Sequence, residues 1–472
     1  MKLPKFLNLS YYWNGYDAVN PSVKRRDSGQ RVASSDELLS DYDRRKLMET
    51  GRDSWRNFPV AGWAIRKHLD YVSSFNFMAK TGSKEGDRIL EEFVAKQSLP
   101  GNAEVTRKHS LASIIRLAEL RRVIDGDLLL IKTRGGYLQA VEGDRIRTPG
   151  SGIVEDNDNV VEVHGVVVSP AGTPKGYKIY KKYAPRGSYT YETTVPAVSA
   201  YLHGYYDSFD QIRGVSPIAS ALTSFQDVME VHEYARLKAK VTQLFAMLIK
   251  SDTPEYRTDD GGCADYKVDF GKGPLKLRLQ PGDDAEFLES KHPSTEFQTF
   301  MELTMNMALK ALDIPWSFFD ESHTNYFGSR SAVINYLQSC RSKRASNIAL
   351  LNWWTDWQIK RGQMAGLLPK GELSYKWNPI GIEWWDPSKE IQADALAVAN
   401  KFKTRSEIRM ERYGDTWTDV VDRIAEEDQY LIDLGLSPSL AVPGAPQLQE
   451  ESEPEEPESE SQPEQEEAVD EQ

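Results

Sequence analysis

The chain has 472 residues, 40% apolar and 10% aromatic, enough for two to four domain-sized cores. A mean hydropathy of -0.55 and the lack of any apolar run of roughly 18 residues argue against a membrane-spanning helix, and "MKLPKFLNLSYYWNGYD" lacks the apolar core of a signal peptide. The net charge of -13 is local: residues 447–472 carry twelve Asp or Glu and no Lys or Arg, and removing those twelve leaves -1, without the basic excess of a conventional DNA binder.

In chain order, residues 1–35 are polar and tyrosine-rich and read as an extended, loosely docked arm. Residues 36–80 read as helical, with Trp63, Ile65, Leu69, Val72 and Phe75 on one side of "AGWAIRKHLDYVSSF". A helix over about 111–125 leads into "DGDLLLIKTRGGYLQAVEGDRIRTPG", which reads as a strand, a tight Gly135-Gly136 turn and a second strand. Short β-rich pieces follow in "VVEVHGVVVSP" and "KGYKIYKKYA", so residues from about 105 to 210 read as a mixed α/β or β-rich unit.

A long helix is then predicted from Ser216 as N-cap and Pro217 at the first helical position. Ile218, Leu222, Phe225, Val228, Val231, Tyr234, Leu237, Val241, Leu244, Phe245 and Leu248 keep close to helical spacing without an internal Gly or Pro. Such a helix spans about 45–50 Å, long for a globular domain and more like a strut in an assembly. A Gly/Pro/Asp-rich excursion with a strand at 275–279 separates it from a second helix beginning at Ser294 and stopping before Pro315. A loop "WSFFDESHTNYFGSR", a third long helix over about 331–362, and several helices over 380–436 complete the ordered chain. From about 441 the composition is Pro/Glu/Ser/Gln-rich and cannot bury enough apolar surface to fold.

Catalytic signatures are missing. No phosphate loop, G-x-S-x-G elbow, H-E-x-x-H pair or C-x-x-C is present, and Gly271-Lys272-Gly273 reads as a turn. The seven histidines are dispersed and read as surface or partly buried side chains rather than metal ligands, and Cys263 and Cys340 as two free thiols. Asp415, Asp419, Asp422 and Glu426 lie at helical spacing and read as a solvated face, with a divalent-cation site as the competing reading. Arg341, Lys343 and Arg344 suit either phosphate contact or a charged helix surface with intersubunit ion pairs. Trp353, Trp354, Trp357, Trp377, Trp384 and Trp385 read as core ahead of a base-stacking platform. No cofactor is expected.

Four segments carry a resemblance. "RDSWRNFPVAGWAIRKHLDYVSS", "VPAVSAYLHGYYDSFDQIRGVSPIASAL", "LDIPWSFFDESHTNYFGSRSAVINYLQSCR" and "WWDPSKEIQADALAVANKFKTRSEIRMERYGDTWTDVVDRIAEED" resemble, in order and spacing, segments of the lambda-like family of tailed-phage portal proteins, over most of 50–436. The chain departs from that family in its short N-terminal arm, its long acidic tail and its shorter segments around 251–293. The resemblance implies an α+β portal fold with a mixed α/β wing, long stem helices, a small β-containing clip, a helical crown and a disordered acidic tail. Its parts would be an arm at 1–35, wing 36–212, first stem helix 213–250, clip 251–293, second stem helix 294–316, tunnel loop 317–330, a wing and channel helix at 331–379, crown 380–440 and tail 441–472.

It further implies a homo-oligomeric ring, typically a dodecamer, at one capsid vertex of the virion, assembled in the host cytoplasm. Double-stranded DNA would pass through it without sequence specificity during packaging and ejection, and a near-neutral body suits low friction. Implied partners are the terminase large subunit, the major capsid protein and scaffold, and head-tail connector or adaptor proteins, with no membrane. Candidate channel residues are Asn325, Tyr326, Arg330, Arg341, Lys343 and Arg344. Candidate subunit-interface residues are Phe225, Leu244, Phe245, Leu248, Phe300, Leu303 and Met307. The competing readings are another virion connector or scaffold protein, and a metal-dependent nucleic-acid enzyme built on the clustered carboxylates.

Overall fold

The computed structural model of the chain describes residues 33–150, 152–156, 159–183, 188–244, 247–251, 283–287, 295–320, 326–381, 387–414 and 417–436. They fall into two compact units divided after Gly414. In the first, Ser34 caps α1 (Ser35–Leu38), and Ser40 opens α2 (Asp41–Asn57) with a reciprocal capping box to Asp43. Pro59 starts α3 (Pro59–Val72) at the position where its missing N–H costs nothing. Strand β1 (Phe75–Ala79), helix α4 (Lys84–Gln97), the single turn α5 (Pro100–Ala103) and α6 (Leu111–Asp125) follow.

Strands β2 (Asp127–Lys132) and β3 (Leu138–Glu142) pair antiparallel around the Gly135-Gly136 turn. Strands β4 (Ile153–Asp156), β5 (Asn159–Val163), β6 (Val166–Val168), β7 (Pro174–Tyr183) and β8 (Ser188–Pro196) form an antiparallel meander in chain order. His164 and Gly165, at φ 46° and 86°, supply the two-residue turn between β5 and β6. Strand β9 (Ala200–Gly204) pairs with the other edge of β2, giving the order β3-β2-β9.

The apolar run Leu128–Ile131 is explained by burial on both faces of β2. Leu128 and Leu130 join a core with α4 and α6, whereas Leu129 and Ile131 join a second core with the five-stranded sheet. Beyond β9 come α7 (Leu222–Leu244), the pair β10 (Met247–Ser251) and β11 (Asp283–Phe287), and α8 (Thr295–Leu309). Helix α9 (Tyr326–Met364) runs 39 residues and buries one stripe: Tyr336, Cys340, Asn347, Leu351, Trp354 and Gln358. Strand β12 (Tyr375–Pro379) returns to pair with β1, and α10 (Pro387–Ala399) and α11 (Arg405–Arg412) close the first unit. The second unit contains α12 (Trp417–Asp433).

Several expectations change. The helix predicted from Ser216 through Leu248 begins only at Leu222, after a 3-10 turn at Ala219–Ala221, and ends at Leu244. Ser216 is buried, and its hydroxyl donates to the Val123 carbonyl instead of capping a helix. Leu248 lies in β10, held by register with a strand some thirty-five residues away, which local periodicity cannot report. The third long helix starts at Tyr326, ahead of the expected 331. Residues 36–80 are not helical throughout: "FNFMA" is a strand because it pairs with "YKWNP" at residues 375–379, far away in the sequence. Most of the proposed arm, the 275–279 strand, Phe245, Cys263, Asn325, Trp384, Trp385 and the acidic tail lie outside the described residues.

Candidate functional site

The Arg213-Gly214-Val215-Ser216 turn is the point where the pieces of the first unit meet. The Arg213 side chain is wholly buried and forks onto Asp127, with Nε 2.6 Å from Oδ2 and Nη2 2.7 Å from Oδ1. It also donates to the carbonyls of Gly143, Ile146 and His164, tying the β3 end and the β5–β6 turn to the start of β2. Burial works against the Arg213 charge, but Asp127 outweighs it and the net direction is upward. Asp127 accepts a further bond from the Gly214 N–H at 2.9 Å. Gly214 is required by space: a Cβ there would sit 2.1 Å from the Gly126 carbonyl oxygen. Arg44 reaches the Gly214 carbonyl and pairs with Asp36; burial, followed by the Arg213 charge, brings it down to about 10.

This turn delivers α7, which packs against α8. At the junction the helices are buried, through Leu222 and Phe225 on α7 and Ala308 and Leu309 on α8. Farther along, large apolar side chains face solvent: Tyr234 is 67% exposed, Leu237 57%, Phe300 55%, Leu303 60% and Met307 65%. Single exposed apolar residues are ordinary, and these five lie on the two helices that pack together. Of the predicted interface residues, Phe300, Leu303 and Met307 belong to this surface, while Phe225 is buried within the chain itself. Leu244 is the last residue of α7.

The candidate channel residues do not behave alike. Tyr326 opens α9, and Arg330 lies 3.4 Å from Glu390. Arg341 is exposed. Lys343 is buried and donates to the Leu312 carbonyl at 3.0 Å and to Asp313 Oδ2 at 2.8 Å, so it caps the carboxy-terminal end of the α8 segment. Arg344 donates from Nε to the Tyr71 carbonyl at 2.7 Å. The predicted basic cluster is thus divided between one solvent-facing side chain and two that brace the fold.

The tryptophans at the far end of α9 act as core. Trp354 and Trp377 are buried, and Trp377 donates to Thr355 Oγ1 at 3.0 Å. Lys132 sits 3.9 Å from the Trp353 ring centre, and burial brings its ammonium down to about 8. Asp419, Asp422 and Glu426 are exposed on α12, and no cluster of three or more His, Cys, Asp or Glu side chains among the described residues is arranged to hold a metal. Among those residues no helix is long and apolar enough to cross a membrane.

One buried polar group escaped sequence reasoning. Glu119 on α6 is inaccessible to solvent and faces His68 Nε2 at 3.0 Å, both forks of Arg122 at 2.9 Å, and His203 Nε2 at 3.7 Å. Burial pushes Glu119 upward, but the His203, His68 and Arg122 side chains outweigh it and hold it well below the usual range. Burial lowers both His68 and His203. Sequence position gave no warning, because the residues come from "KHLDY", "LAELRR" and "YLHGY", far apart in the chain.

Residues 24–344 match the family described as phage portal protein, lambda family. A chain of the virion of the native gene transfer agent particle is 15% identical, with 82% of this chain and 95% of that one covered at a TM-score of 0.48. The neck of the native gene transfer agent particle, computed with C12 symmetry, contains a chain 15% identical over 79% of this chain and 94% of that one, at 0.47. An HK97 family phage portal protein from Corynebacterium diphtheriae is 11% identical over 72% of this chain and 97% of that one, at 0.34. Comparison with curated proteins gives no match.

Proposed function

Because the chain belongs to the lambda family of phage portal proteins, a structural and non-enzymatic family of the virion portal, we propose that its copies close into a dodecameric ring whose subunits meet along α7 and α8 and whose channel passes double-stranded DNA. The observation that carries the interface is the exposure of Tyr234 and Leu237 on α7 and of Phe300, Leu303 and Met307 on α8. A closed ring needs heterologous contacts between two different faces of each copy, and an apolar helix pair suits burial against a neighbour.

In this reading the first stem helix is Leu222–Leu244 and the second is Thr295–Leu309, with residues 251–293 forming the clip between them. Residues 36–212 and the α9 segment form the wing, and 380–440 the crown. Arg341 is the cation we assign to the channel wall, since Lys343 and Arg344 are engaged inside the chain. The clip is the docking site for the terminase large subunit and later for connector proteins, and the wing meets the major capsid protein and scaffold. A channel that lets DNA slide is better served by a few positioned cations than by a basic lining.

The test is Leu303→Asp in the full chain, measured by native mass spectrometry. A charge on that surface is expected to leave monomers where the unaltered chain forms rings. Rings of normal copy number from the variant would overturn the assignment of α8 to the interface.

A further inference from the structure

Two segments that the resemblance singles out, the "YFGSR" start of α9 and the "PSKE" start of α10, meet at a single carboxylate. Glu390 is only 5% exposed, although it stands on a helix whose neighbours Ile391 and Leu396 face solvent. Its Oε1 lies 3.4 Å from Arg330 Nη2 on α9, and its Oε2 lies 3.0 Å from Arg412 Nη1 at the end of α11. Arg412 also reaches Asp394 at 3.5 Å, one turn farther along α10 on the same face. Three helices therefore converge on one buried anion and two guanidinium groups.

The docking of α10 and α11 also lies outside the main cores. Among the described residues, the four buried apolar clusters draw no member from α10 or α11. Asn76 at β1 donates to the Tyr413 carbonyl at 3.1 Å. By contrast, the second half of α9 is fixed in the main core through Leu350, Leu351, Trp354 and Ile359. The first turns of α9 thus depend on what lies against them locally, and segments with few buried apolar contacts open at low free-energy cost.

We infer that Glu390 is a positioning residue that sets the start of α9 against α10 and α11, so that a displacement of those two helices is transmitted to the start of α9. This rests on the proposed reading for its functional meaning, in which α9 carries the channel-wall Arg341 and α10–α11 belong to the crown. The geometry itself does not depend on that reading. It makes Arg330 a residue held by the crown segment rather than one that waits for a phosphate.

The test is hydrogen exchange on the full-length protein in its native oligomeric state. Glu390→Gln keeps the shape of the side chain and removes its charge, and is expected to speed exchange about tenfold in residues 328–335 and 388–399. Residues 344–362 should be unaffected. Arg330→Gln, which leaves the Arg412 pair intact, should speed exchange in 388–399 by less, and the double variant should add nothing to Glu390→Gln. Unchanged exchange in Glu390→Gln, or a uniform rise along all of α9, would overturn the inference. If the pattern appears in a protein that forms no rings, the portal-ring reading fails and the Glu390 assignment stands; rings without the pattern mean the reverse.

Discussion

Replacing Arg213 by Lys keeps a positive charge beside Asp127 but removes the fork. Arg213 makes five hydrogen bonds, two to Asp127 and one each to the carbonyls of Gly143, Ile146 and His164. A lysine ammonium has three donors on one atom, so at least two of those buried acceptors lose their partner. Each orphaned group costs about 1–3 kcal/mol, giving a loss of about 2–6 kcal/mol for Arg213→Lys. Arg213→Met goes further: Asp127 stays buried with only the Gly214 N–H, and breaking such a pair costs about 3–5 kcal/mol before the carbonyls are counted. Against a typical total stability of about 5–15 kcal/mol, Arg213→Lys should fold with a lowered urea midpoint and Arg213→Met should not accumulate folded. The assay is urea unfolding followed by tryptophan fluorescence and circular dichroism, with the slope checked for constancy. A Lys variant within about 0.5 kcal/mol of the unaltered chain would refute the view that this turn holds the first unit together.

Gly214→Ala should destabilise more than an ordinary surface change, because its Cβ would lie 2.1 Å from the Gly126 carbonyl oxygen; soluble yield and melting temperature report it. Arg341→Ala is expected to leave the melting temperature unchanged, whereas Lys343→Ala should lower it by about 1–3 kcal/mol equivalent through the freed Leu312 carbonyl, measured by parallel thermal scans. Acid should destabilise the first unit from near neutrality. His164 is brought down to about 4 by burial and then by Arg44, so between its ordinary 6.5 and that value the unfolded chain takes a proton the folded one refuses. Stability present above pH ~6.5 is therefore lost as pH falls toward 4, at up to about 1.4 kcal/mol per pH unit for each such histidine. His68 and His203 are shifted the same way, and Glu119, held well below its usual range, adds a loss at more acidic pH. His164→Asn, which tolerates the positive φ, should flatten the slope between about pH 6 and about pH 4.5 in urea titrations.

The elements that sequence reading reached were those whose cause is local. The Leu111–Asp125 helix shows its Ser110 cap and Gly126 stop in adjacent residues, and the β2–β3 hairpin shows its glycine turn. The α7–α8 pair was visible as two apolar helical runs around a Gly/Pro/Asp-rich stretch, though the Leu244 end was hidden because β10 exists only through its distant partner. Strands β1 and β12 leave no local signal for the same reason, whereas α4 carries one in its Ser83 cap. The "RGVS" motif was recognised by resemblance, but its work, satisfying three carbonyls and a buried aspartate, is visible only in three dimensions. Likewise the basic run at 341–344 gave no sign that Lys343 turns inward while Arg341 turns out.

The central claim, that copies of this chain form a portal ring through α7 and α8, is tested most directly by native mass spectrometry of the full-length protein at several concentrations, with images of the same sample. The account predicts a closed ring of about twelve copies of 53.5 kDa with an axial opening wide enough for a duplex of about 20 Å, lost in Leu303→Asp. A monomer at every concentration, with Leu303→Asp indistinguishable from it, would contradict the claim.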